Sequence, residues 1–106
     1  MRGVKLIEAH TFKAERPWGA LDIAAIDGAT VRLHWTDEAY RWHVNDGAEV
    51  FVVLDGEVDM HYREEGEEKV ARLKAGELVY AEAGDEHFAS PVGEARILVI
   101  ERAGSV

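Results

Sequence analysis

Apolar and polar residues alternate along much of this chain. Thr30 to Trp35 sets Val31, Leu33 and Trp35 on one face and Arg32 and His34 on the other. Glu57 to Arg63 sets Val58, Met60 and Tyr62 against Asp59, His61 and Arg63. Successive side chains of an extended chain point to opposite faces, so a period of two predicts half-buried strands. Val50 to Leu54 is apolar throughout and rich in valine, as a strand covered on both faces should be. Arg96 to Ile100 reads the same way. Val70 to Leu73 and Leu78 to Glu82 supply two more strands around Lys74-Ala75-Gly76.

The punctuation between these runs is glycine-based: Asp27-Gly28, Asp46-Gly47, Asp55-Gly56, Glu65-Gly66, Ala75-Gly76, Gly84-Asp85 and Val92-Gly93. Asp-Gly is a strong turn signal because glycine tolerates positive φ. Turns at this spacing predict an all-β sandwich or barrel of antiparallel strands. VFVVLDGEVDMHY reads as a hairpin that turns at Asp55-Gly56. Helix signals reduce to a single turn between His10 and Arg16, before Pro17. Pro17 and Pro91 fall at strand ends or loops, where a missing N–H costs little. Val4 to Ala9 reads as an N-terminal strand.

Composition narrows the class. The 106 residues, 47% apolar, suit a single globular domain over 1–106 with an N-terminal arm over 1–20. There is no cysteine, which removes disulfides, thiolate zinc sites and a thiol nucleophile together. The net charge of −9 argues against nucleic acid and against an anionic membrane surface. The acidic run REEGEEK is expected to be a solvated loop tip. MRGVKLIEAH lacks an apolar signal-peptide core, and no apolar run approaches the roughly 20 residues of a membrane helix. A cytoplasmic protein is the expectation.

The candidate chemistry lies in WHVNDGAEVF. On a strand, Arg41, His43 and Asn45 share a face. A turn at Asp46-Gly47 would then return the chain with Glu49 facing His43. His87, in GDEHF, is the candidate for a further ligand. Two histidines and a carboxylate with open positions suit non-haem Fe(II), and manganese, nickel or zinc as well. Asparagine offers a weaker, neutral oxygen. The plain alternative stands beside this: Asn-Asp-Gly is ordinary turn chemistry, and a histidine near a hairpin is commonly just hydrogen-bonded.

The spacing resembles the two motifs of the cupin family. HVNDGAEVFVVLDG places His43, Asn45, Glu49 and Gly56 at the intervals of the first motif. GELVYAEAGDEH places Gly76, Gly84 and His87 at those of the second. About 20 residues separate the two, as in small bacterial members, and the resemblance spans roughly Val31 to Glu101. It departs from the pattern at four points. Asn45 occupies the second histidine position and Glu82 the usual proline. Pro91 stands in place of a final asparagine, and Asp37 in place of an opening glycine.

The resemblance implies a small cupin, or jelly-roll, barrel with a divalent metal at His43, Glu49 and His87. Asn45 would be a weak fourth ligand or would stand behind the others. It further implies a small-molecule ligand inside the barrel, a homodimer to which Val4 to Ala9 contributes, and a metal-dependent enzyme of oxygenase, isomerase or lyase type. The alternative it leaves is a non-enzymatic binding or regulatory module that has lost its metal. Arg41 is the candidate for a substrate's carboxylate or phosphate. His10, His34 and His61 are read as non-ligands, with His61 exposed. Trp18, Trp35, Trp42 and Phe88 are read as core, rim or dimer-contact residues.

Overall fold

The computed structural model describes residues 3–105. Two antiparallel sheets face each other. The strands, in chain order, are β1 (Gly19–Ile26), β2 (Ala29–Thr36), β3 (His43–Val44), β4 (Glu49–Asp55), β5 (Glu57–Glu64), β6 (Glu67–Lys74), β7 (Leu78–Ala81), β8 (Glu86–Pro91) and β9 (Ala95–Arg102). One sheet has the order β1-β2-β9-β4-β7 and the other β3-β8-β5-β6. This is the expected all-β jelly roll. No helix among the described residues is long and apolar enough to cross a membrane.

The core lies between the sheets. Phe51, Val53, Val58, Met60, Leu73, Ala89, Ala95, Ile97 and Val99 form one buried cluster, with Trp18, Tyr62 and Val79 packed on it. Each fully buried aliphatic side chain here contributes roughly 1.5–3 kcal/mol of transfer free energy. The inward stripe changes character along each strand. β4 runs from Val53 and Phe51 to Glu49, β9 from Ile97 and Val99 to Glu101, and β8 from Ala89 back to His87. One end of the sandwich is therefore sealed by apolar packing, and the other is a polar cavity.

The outer face of the larger sheet is apolar too. Cross-strand neighbours form a continuous row: Leu21, Leu33, Leu98, Val52 and Leu78. A second row runs Ala24, Val31, Ile100, Val50 and Tyr80. β2 thus turns Val31, Leu33 and Trp35 away from the cavity and Arg32 and His34 toward it. The segment before β1 lies over part of the outer face, held by Arg96, which is buried at 9% exposure. Its Nε donates to the Phe12 carbonyl at 2.7 Å and its Nη1 to Asp55 at 2.7 Å. A buried charge is stable only when paired in this way.

Four expectations are corrected. Gly3–Glu8 pairs with no strand of the protomer, and only a short 3-10 turn forms, at Ala9–Thr11. β1 was not legible, because a bulge between Asp22 and Ala24 and its two consecutive alanines break the alternation. β3 and β4 are not a hairpin, because they belong to different sheets, and residues 45–48 cross between them. VFVVLDGEVDMHY is not a hairpin either: at Asp55-Gly56 the chain passes from β4 in the larger sheet to β5 in the smaller one, and the two strands do not pair. REEGEEK is an exposed hairpin end, as expected, although most of it belongs to β5 and β6.

Candidate metal centre and cavity

His43 and His87 become neighbours through strand pairing. β3 pairs with β8 so that the two histidines stand directly opposite. Their ring centroids lie 4.5 Å apart. Glu49 arrives from the other sheet, as the first residue of β4. Its Oε1 lies 3.2 Å from His87 Nε2, and both side chains are about nine-tenths buried. The loop that brings them together is fastened by backbone bonds. Asn45 N–H donates to the Asp85 carbonyl at 3.0 Å, and Gly84 N–H donates to the Asn45 carbonyl at 2.8 Å. These bonds clamp the His43 and His87 segments into one unit.

One donor atom from each of His43, Glu49 and His87 lies within 4.8 Å of the others. Ligands bound at 2.0–2.2 Å stand roughly 3–4 Å apart, so a small contraction suffices to hold an ion. His43 Nδ1 donates to the Arg41 carbonyl at 3.0 Å. That bond fixes the tautomer and frees Nε2, as in metal-bound histidines generally. Asn45 is buried, and its amide nitrogen has no hydrogen-bond partner. The two ends of an amide are interchangeable by a half turn, which would put Oδ1 in the orphaned position. The donor set therefore fits a divalent ion.

The cavity beyond has a volume of about 430 Å³, within the range of small-molecule sites. Trp18, Tyr40, Phe51 and Val99 supply apolar walls, and His34 reaches in from β2. Arg16, Arg32 and Arg41 also line it, opposed by Glu49 and Glu101. Burial, followed by the neighbouring Glu49 carboxylate, raises the Glu101 pKa above its ordinary value. Arg41 was expected on a strand beside His43. It lies instead in the irregular stretch before β3, and still lines the cavity with its guanidinium 5.0 Å from the Tyr40 ring.

Other expectations change with the geometry. Trp18 is a cavity wall as well as a core neighbour. Its backbone is left-handed, with φ 62°, and its indole donates to the Glu38 carbonyl at 2.9 Å. His61 is half-buried rather than exposed, because its ring stacks on Phe88 at 4.2 Å. His10 is exposed.

His34 Nδ1 donates to the Trp18 carbonyl at 3.0 Å. Burial is the main cause that lowers the His34 pKa, partly opposed by this hydrogen bond. The consequence for stability has a definite sign. Below its ordinary value of about 6.5, the unfolded chain takes up a proton at this residue that the folded chain resists. Stability is therefore lost as pH falls below about 6.5. Thermal melts of chelated protein between pH 8 and pH 5 should show a shallower fall for His34→Asn than for wild type. Parallel curves would remove His34 from the acid sensitivity.

The sequence matches the cupin domain profile over residues 31–101. No curated protein is similar to the chain in sequence. Among solved structures, a cupin-2 domain protein from Shewanella frigidimarina is 27% identical, with a TM-score of 0.74 and 84% of each chain covered. A cupin superfamily protein from Desulfitobacterium hafniense is 17% identical, with a TM-score of 0.74 over 96% of this chain and 93% of that one. A hydroquinone 1,2-dioxygenase in complex with Fe3+ is 16% identical, with a TM-score of 0.75, and this chain covers 29% of it.

Proposed function

The chain belongs to the cupin family, and from that premise we propose a metal-dependent enzyme acting on a small polar metabolite. The observation that carries this reading is the convergence of His43, Glu49 and His87 at a cavity of ligand size. In the proposal these three side chains hold the ion, with Asn45 as a weak ligand or behind the others. When bound, a divalent ion would supply Lewis acidity to a substrate oxygen, and a redox-active one would open oxygenase chemistry. Glu49 offsets part of the ion's charge. Arg41 meets the substrate's acid group at the mouth. A similar fold in a dioxygenase structure with Fe3+ supports this reading of the barrel, although a fold by itself does not choose among oxygenation, isomerisation and lyase chemistry.

A second reading has a specific observation behind it. The His87–Glu49 pair, at 3.2 Å, satisfies itself without an ion, and Asn45 replaces a stronger ligand. A binding module without metal would look like this. Elemental analysis of untagged protein, purified without chelator, separates the two. About one equivalent of a transition metal supports the enzyme reading. Protein that is metal-free and refuses added iron, manganese, nickel and zinc overturns it in favour of the binding module.

We further propose that the chain is a single domain that pairs as a homodimer through the outer face of its larger sheet. Two apolar rows cross all five strands there, and Leu78 and Tyr80 remain 57% and 60% exposed. A contiguous apolar face of this kind is the mark of an interface. The arm before it carries Val4 and Leu6, at 91% and 92% exposure. A second copy offers the same apolar face, as a two-fold interface requires. Sedimentation at micromolar concentration should give a dimer for wild type and a monomer for Leu78→Glu with Tyr80→Glu. A monomeric wild type would contradict the proposal.

A further inference from the structure

We propose that His34 is the specificity-determining acceptor of the cavity, and that the ligand is a small organic acid carrying a hydroxyl or similar donor. The inference deepens the metal-enzyme reading and rests on it for the site's location. Three observations support it.

The first is the way His34 is held. Its Nδ1 faces the Trp18 carbonyl, which can only accept, so Nδ1 carries the proton. Its Nε2 has no protein partner among the described residues, and it is not among the sealed, unpartnered atoms. In neutral imidazole that nitrogen is a lone-pair acceptor, and the lowered pKa of His34 supports the neutral form. A ligand donor in the cavity is the partner it lacks.

The second is the strain that supports it. Trp18 sits at φ 62°, a conformation that side chains other than glycine adopt only at a cost. Its indole is tied to Glu38, and its ring makes edge contacts with His34 at 5.9 Å and Tyr40 at 5.3 Å. Gly19 follows it, where a Cβ would collide with Ala14. The chain thus accepts strain at the residue whose carbonyl orients His34 and whose ring walls the cavity.

The third is the sign of the charge. The chain as a whole has 12 Lys and Arg against 21 Asp and Glu. The cavity lining reverses this, with Arg16, Arg32 and Arg41 against Glu49 and Glu101. Arg32 is tied to Asp22 at 2.8 Å, whereas Arg16 and Arg41 form no ion pair among the described residues. With Glu49 offset by a metal ion, the cavity attracts anions. Trp18, Tyr40 and Phe51 accommodate an apolar or aryl body between the acid at the mouth and the donor at His34.

The test uses matched probes on protein as purified, with metal content measured for every sample. The 3- and 4-hydroxyphenylacetates carry both features, phenylacetate lacks the hydroxyl, and the hydroxyphenylacetamides lack the acid. Calorimetry should show one hydroxy isomer binding about tenfold tighter than phenylacetate and than its own amide. His34→Asn keeps a donor for the Trp18 carbonyl but deletes the acceptor at Nε2, and should abolish the preference for hydroxyl. His34→Gln, whose amide oxygen reaches the Nε2 position, should restore it. Metal content should be that of wild type in both variants. The proposal is overturned if no hydroxy acid binds, if wild type ignores the hydroxyl, or if His34→Asn still prefers it. Metal-free wild type that still shows the preference, lost in His34→Asn, would sink the metal reading and leave His34's role intact.

Discussion

Replacing His87 by alanine should strip the protein of its metal while leaving the barrel folded. His87 sits on β8, opposite His43 and 3.2 Å from Glu49, so its imidazole stands at the centre of the donor group. Losing it leaves one imidazole and one carboxylate from the group, too few for a stable divalent site without much water. The fold should survive because the buried apolar cluster lies toward the opposite end of the sandwich. The ion has a further role in this geometry. His43 and His87 belong to the smaller sheet and Glu49 to the larger, so a bound metal staples the two sheets together. Ligand present at a hundredfold excess over Kd stabilises by about 2.7 kcal/mol. For a chain of this size that corresponds to a rise in Tm of roughly 10–20 °C. Chelator should therefore lower the Tm of wild type by about that much and leave His87→Ala unmoved. Elemental analysis and paired thermal melts check both halves. If His87→Ala unfolds with metal content unchanged, the residue is a buried partner for the Glu49 carboxylate, and the metal assignment is wrong.

The strands were legible where one face is apolar and the other polar, as in β5, and where both faces are apolar, as in β4. The inside of β2 was not. Val31, Leu33 and Trp35 form the apolar stripe of that strand, yet they face outward, because the outer surface of the larger sheet is itself apolar. Alternation shows that two faces exist and does not say which one lines the cavity. For that reason His34 was read only as a non-ligand and Arg32 was overlooked, and Glu101 was overlooked because it ends an apolar strand. The available signal was the inward register of β9: Val99 pairs with Arg32 and Ile97 with His34. The metal candidates were legible through motif spacing, but the route was misread. Glu49 meets His43 by crossing between sheets, not by a hairpin turn. Residues from the loops, Arg16 and Trp18, carry no periodic signal at all, and their positions depend on tertiary contacts such as Arg96 with Phe12.

Gly56→Ala should be the most damaging single methyl in the molecule. Gly56 turns the chain from β4 in the larger sheet to β5 in the smaller one at φ 82°, where a residue with a Cβ is strained by roughly 1–2 kcal/mol. Space is the larger problem. An added Cβ would overlap the Glu94 carbonyl oxygen and lie 3.1 Å from the Ala95 Cα, both of them backbone atoms that cannot rotate away. Overpacking of that kind costs typically 1–3 kcal/mol more. The sum, about 2–5 kcal/mol, is a large part of the stability of a domain this size. It corresponds to a fall in Tm of more than about 10 °C. Gly76→Ala is the control. Gly76 has φ 93°, but nothing lies within 4 Å of its missing Cβ, so backbone strain alone should cost about 1–2 kcal/mol. Denaturant titration of both variants separates strain from collision. Equal losses would mean that the β8–β9 turn at Glu94 yields freely. In that case the first motif's glycine would be required for its φ alone. A clearly larger loss at Gly56 ties that glycine to the close approach of the turn before β9. The same β9 carries Ile97 and Val99 into the core and Glu101 into the cavity.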